Sequence, residues 1–154
     1  MVDLRFPTAL QIVLSLAVAQ EQSMLCTSDA LAAGLGTNPS LVRRILVGLN
    51  DRGVTVAVLG CNGGVKLARP ADQITLRDIY LATGDKSALV ARPGVPAICV
   101  VSSNIGAFVD ILAAELDAAV LEALSRRTVA ASLTEVRDLA GAGSRLKGPL
   151  PLVS

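Results

Sequence analysis

The chain opens on an apolar run, Phe6 to Gln20, fifteen residues without a charge, and this pattern predicts a buried first helix. Thr27-Ser28-Asp29 then offers N-cap candidates and an acidic first turn for a short helix over 30–34, with Gly34 and Gly36 at its end. Asn38-Pro39 opens a third helix. Asn suits the N-cap and Pro the first helical position, and Val42, Ile45, Leu46 and Leu49 follow at i, i+3, i+4, i+7. With that stripe turned inward, Ser40, Arg44 and Val47 point outward and Arg43 lies on the flank; Gly53 ends the helix. Val54 to Leu59 and Val65 to Leu67 read as two strands joined by the turn Gly60-Cys61-Asn62-Gly63-Gly64.

Pro70 breaks the second strand, and Thr75-Leu76-Arg77-Asp78 has capping-box form for a helix ending near Gly84. Residues 85–103, with two Pro, a Gly and several β-branched residues, read as an extended connector. Asn104 to Arg127 is expected to be the longest helix, about six turns, with Ile105, Phe108, Val109, Leu112, Leu116, Ala119, Val120 and Leu124 along one face. A stripe that long needs a covering surface, and a second copy of the chain is the economical one; folding back on its own domain is the other reading. Ser132-Leu133-Thr134-Glu135 suggests a capping box for a last short helix to Ala140, and 141–154, rich in Gly and Pro, reads as a loose tail.

The expected class is therefore mostly α with a small β-hairpin. Helix, turn, helix and hairpin in that order make a winged helix-turn-helix domain over 1–84. A connector or sensor loop over 85–103 follows, then a dimerisation helix and short terminal helix over 104–140.

Composition narrows the chemistry. The chain is 52% apolar and 18% charged, which excludes a disordered chain. It has no His, so the usual general base and commonest metal ligand are missing, and a cysteine-dependent enzyme would lack its activating partner. One Tyr, two Phe and no Trp argue against base stacking on an aromatic platform. Charge is nearly balanced overall (+1), yet Thr37 to Arg69 carries Arg43, Arg44, Arg52, Lys66 and Arg69 against Asp51 alone, a local +4. Such an island suits phosphate contacts, the alternative being a solvated basic face.

The first apolar run lacks a basic start, is interrupted by Gln11 and Ser15, and is too short to cross about 30 Å of hydrocarbon. Prolines and glycines disqualify 93–109 as a membrane helix, so a cytoplasmic protein with no membrane partner is expected. Cys26, Cys61 and Cys99 lie far apart, without the close pairs of a metal site.

Three blocks together resemble the Rrf-type family of bacterial winged-helix transcriptional regulators. They are Asn38-Pro39-Ser40-Leu41-Val42-Arg43-Arg44-Ile45-Leu46; Gly60, Gly63-Gly64 and Leu67-Ala68-Arg69-Pro70; and Ile74-Thr75-Leu76, Asp78-Ile79, Ala82 and Gly84. Arg5-Phe6 and the long later helix extend the likeness over about 4–140. The resemblance implies a homodimeric repressor with crossed long helices, recognition helices in successive major grooves of a palindromic operator, and wings at the flanking minor grooves. The DNA-contacting set it suggests is Thr27, Ser28, Asn38, Pro39, Ser40, Leu41, Arg43, Arg44, Gly60, Asn62, Gly63, Gly64, Lys66 and Arg69; the dimer surface is Ile105, Phe108, Val109, Leu112, Leu116, Val120 and Leu124.

Two departures stand out. Family wings carry Arg before the first wing glycine, where this chain has Leu59. Cluster-binding members hold three close cysteines before the long helix, where this chain has Cys99 alone, so no cofactor, and no iron–sulfur cluster, is expected. Cys61 at the wing tip and Cys99 are the candidate redox sensors, with a small-molecule or oxidant inducer unidentified. The competing reading is a winged-helix module for a protein or small ligand that has weak or lost DNA binding.

Overall fold

Local signals set most boundaries in the computed structural model, which describes residues 4–84 and 87–142. Helix α1 spans Arg5–Glu21, and α2 spans Ser28–Leu35. Thr27 caps α2, its hydroxyl accepting from the Ala30 amide at 3.1 Å, and Gly36 closes it at φ +62°, a left-handed position suited to Gly. Helix α3 runs Pro39–Asp51 behind Asn38, whose Oδ1 accepts from the Ser40 amide at 2.8 Å. Strands β1 (Thr55–Val58) and β2 (Gly64–Leu67) pair antiparallel, Thr55 opposite Leu67 and Val58 opposite Gly64. After a 3-10 turn at Ala71–Gln73, α4 (Leu76–Ala82) starts with the expected capping box. Thr75 Oγ1 accepts from the Asp78 amide at 3.2 Å, and Asp78 Oδ2 accepts from the Thr75 amide at 2.9 Å.

The core is built around α1. Ala9, Ile12, Val13, Leu16, Ala17 and Ala19 are buried there, and Val42 and Leu49 of α3, Val54, Ile74, and Ile79 of α4 close over them. Phe6 meets Tyr80 edge to face at 5.4 Å between ring centres.

The C-terminal part departs from the sequence reading in three places. Helix α5 runs Val100–Ser125, four residues longer at its start than expected, because Cys99 acts as the N-cap with Ser102 closing a capping box. The expected start at Asn104 therefore falls in the second turn. Helix α6 spans Val129–Ala142, and Ser132 to Glu135 lie inside it. Thr128 supplies the cap, its hydroxyl accepting from the Ala131 amide at 3.2 Å, while Ser132 Oγ is buried without a hydrogen-bond partner among the described residues. Thirdly, α6 starts in the core: Val129 and Leu133 are buried in the cluster organised by α1. Strand-like bonds fix that junction, the Leu76 amide donating to Arg127 O at 2.9 Å and the Val129 amide to Ile74 O at 2.8 Å. Gly141 and Ala142 complete α6; the rest of the expected tail lies outside the described residues.

Candidate nucleic-acid interface

Helix α3 is held on two sides, which fixes the face it presents. Val42, Ile45, Leu46 and Leu49 are buried, so Ser40, Arg43, Arg44 and Val47 stand exposed on the opposite side. At Gly48 the helix touches α4 so closely that a Cβ would sit 2.3 Å from the Ala82 carbonyl oxygen. Arg43 reaches back to α2 and donates to Asp29 Oδ1 at 2.7 Å. Both partners are well exposed, so the pair stabilises little and can exchange for a phosphate. Arg44 makes no ion pair among the described residues.

The wing is rigid at its root. The Val65 amide donates to Cys26 O at 2.8 Å, joining β2 to the segment before α2, and a Cβ at Gly64 would lie 2.8 Å from that same oxygen. At the tip Gly60 adopts φ +116°, and Gly63 packs where a Cβ would meet Val58 O at 2.2 Å. Glycine is required at these positions by geometry. Between α3 and the wing lies an open trough of about 490 Å³, with Thr27, Ser28 and Arg43 among its polar walls and Val47, Val58, Leu59, Gly60, Gly63 and Gly64 among the rest.

Most of the expected DNA-contacting residues therefore converge on one side. Asn38 and Pro39 start the exposed helix, Ser40 and Arg44 project from it, and Asn62 is exposed at the wing tip. Two of them, Leu41 and Arg69, are instead engaged by the chain itself. Leu41 is half-buried and packs on the core, because its side chain borders the inward stripe. Lys66 is exposed across the sheet from Val56, on the face opposite buried Val65.

Arg69 is committed to the chain. Its Nε donates to Gly53 O and one terminal nitrogen to Gln73 O, both at 3.1 Å, while the other lies 3.3 Å from Asp78 Oδ2. It is a positioning residue at the junction of α3, β2 and α4. Burial opposes ionisation of Asp78, but the Thr75 amide and hydroxyl and the Arg69 guanidinium outweigh it, and the carboxyl titrates below the ordinary aspartate value.

Sequence reasoning missed Asn50, which lines the trough and receives the Thr55 hydroxyl, and missed Asp29 as the partner of Arg43. Asn50 lies two turns beyond Arg43, a spacing that could have flagged it. No local signal links Arg43 to Asp29, which only the fold brings together.

The cysteines are dispersed. Cys26 is buried beneath the wing, and burial pushes its thiol upward; Cys61 is exposed at the wing tip. Cys99 is exposed at the start of α5, where hydrogen bonding with the Ser102 side chain, then with the Ser102 and Val101 amides, holds its thiol below the usual range. The described residues contain no cluster of three or more His, Cys, Asp or Glu able to hold a metal ion. They also contain no helix long and apolar enough to cross a membrane.

On α5 the sequence-predicted dimer face divides. Ile105, Phe108, Leu116 and Val120 are exposed, whereas Val109 and Leu112 are half-buried and Leu124 packs on the chain's own core.

A basic helix presented beside a glycine-shaped hairpin defines a winged helix-turn-helix protein. The chain belongs to the Rrf2 family, described as iron-dependent transcriptional regulators, whose model matches residues 2–135. It is 39% identical over 59 residues to protein aau3 of Rhizobium meliloti (strain 1021), and 29% identical over 69 residues to YwgB of Bacillus subtilis (strain 168), named as an HTH-type transcriptional regulator. Those stretches cover 38% and 45% of this chain, and only 38% and 44% of the two relatives.

Solved structures share the fold over more of the chain. A transcriptional regulator from Lactobacillus plantarum superposes with TM-score 0.74 at 23% identity, covering 89% of this chain and 92% of that one. IscR of T. potens gives 0.65 at 18%, covering 96% and 93%, and CymR of B. subtilis 0.61 at 17%, covering 88% and 97%. The family is one of regulators, not enzymes.

Proposed function

We propose that the protein is a homodimeric, DNA-binding repressor that occupies a palindromic operator in the cytoplasm. The observation that carries this reading is the outward face of α3, where Ser40, Arg43 and Arg44 stand exposed and Arg43 lines the trough that the wing closes. Arg can contact guanine bidentately or clamp a phosphate, and the start of α3 with the Ser40 hydroxyl suits a phosphate oxygen. The dimer is supported by the exposed apolar stripe of α5, in which Phe108 is 55% exposed, and by the need to cover it. Selection from random duplexes followed by salt titration tests the reading. Specific binding should weaken steeply with salt, and Arg44→Ala should reduce the slope by about 1 for each phosphate it leaves unneutralised. Salt-insensitive binding, or none, would overturn it.

Regulation through Cys99 belongs to the same proposal, supported by its exposure and lowered thiol at the head of the proposed dimer helix. The donor set does not fit a resident iron–sulfur cluster: the three cysteines occupy the buried wing root, the wing tip and the α5 cap, and the chain has no His. This supports reading the protein as a cluster-free sensor. Iron and sulfide reconstitution of purified protein should leave no visible cluster absorbance.

A further inference from the structure

Leu59 is the most exposed large apolar side chain described, at 92%, and it sits where β1 ends and the wing turns. Leaving a leucine in water forgoes the stabilisation that burial would give. The position is not loose. Gly60 and Gly63 fix the turn beyond it, the Gly63 amide donates to Gly60 O at 3.0 Å, and the strand pairing ends one residue earlier at Val58. Leu59 also lines the trough shared with Arg43 and with Val47, itself exposed on α3. An apolar projection on a stiff arm, continuous with a basic helix face, fits a ligand with an anionic rail and apolar base faces.

We propose that Leu59 is a specificity-determining residue, an apolar wedge that the wing presses against a base step beside the α3 contact. The inference rests on the DNA-binding reading above and deepens it. Apolar side chains inserted from the minor groove partly unstack a step, and the energy of doing so is lowest at flexible TA and CA/TG steps. The wing thereby selects sequence by deformability and not by charge. An apolar contact displaces no counterions, so its signature separates it from an arginine or lysine contact.

The test uses the intact protein and a selected site with its flanks varied, 2-aminopurine being placed at the flanking step. Wild-type protein should favour TA-containing flanks over G·C flanks and brighten the probe. Leu59→Ala should bind the TA-flanked site about tenfold more weakly, keep the wild-type salt slope, lose the flank preference and leave the probe dark. At so exposed a position the variant should unfold at the wild-type temperature. Equal binding by Leu59→Ala with unchanged probe fluorescence would overturn the wedge while leaving DNA recognition standing. A uniform loss across all flanks would do the same, since that marks a structural effect. Wild-type protein that binds no duplex in dilute salt would remove both readings.

Discussion

The four-helix head and α5 follow opposite rules of burial. In the head each element contributes to one core, and α1 alone buries six side chains. Helix α5 is the longest, with 26 residues, yet it buries only Ala113. The same apolar content is thus used in two ways: inward, where it defines a unique packing, and outward, where it leaves a surface to be covered. The head closes its core with help from Val129 and Leu133 of α6, whereas most of the apolar face of α5 stays in solvent.

The largest expected effect probes the inward rule. Ile79→Ala empties a fully buried site and should cost about 3 kcal/mol in urea unfolding; a loss below about 1 kcal/mol would show that the head is loosely packed. The outward rule predicts the reverse partition for Phe108→Asp with Leu116→Asp. Self-association should weaken at least about 100-fold in sedimentation, or about 2.7 kcal/mol, with unfolding of the dissociated chain within about 0.5 kcal/mol of wild type. Unchanged association would dismiss that face as the dimer surface.

Gly48→Ala sharpens the contrast further. Alanine usually stabilises a helix interior by about 0.5–1 kcal/mol, but here the added carbon meets the Ala82 carbonyl, so a net loss of about 2 kcal/mol is expected. A gain would mean that α3 and α4 separate freely.

A smaller effect belongs to Asp78. Because its native pKa lies below the ordinary value, its contribution is present at neutral pH and is lost as pH falls from about 3.9 through the native pKa. Asp78→Asn should cost about 1 kcal/mol at pH 7 and flatten the acid side of the stability curve; an unaltered acid limb would show that the capping box adds nothing to the head. The mildest test is alkylation. Cys99 should react well before Cys26, and Ser102→Ala should slow it by removing the side-chain hydrogen bond that lowers its thiol. Simultaneous labelling of both thiols would contradict the burial described for the wing root.

The head was legible because its signals are local and agree. Asn38-Pro39 sets the start of α3, the Val42–Leu49 stripe sets its inner face, and Thr75 with Asp78 starts α4. The failures have physical causes. Cys is outside the preferred N-cap set, so the start of α5 at Cys99 was hidden. Ser132 and Glu135 mimic a capping box, but burying Val129 and Leu133 outweighs that preference and carries the helix through it. Arg69 reads as a phosphate contact because the carbonyls and carboxylate that occupy it are assembled only by the fold. For the candidate interface, the helix face and wing glycines could be read directly. Which cations remain unoccupied could not.

The junction at Arg69 has a mechanical consequence. One guanidinium grips the loop closing α3 and the cap of α4, and the first turn of that helix is bonded in turn to the chain leaving α5. The end of the basic helix, the start of α4 and the exit from α5 are thus tied together by one short chain of bonds that begins at a single side chain.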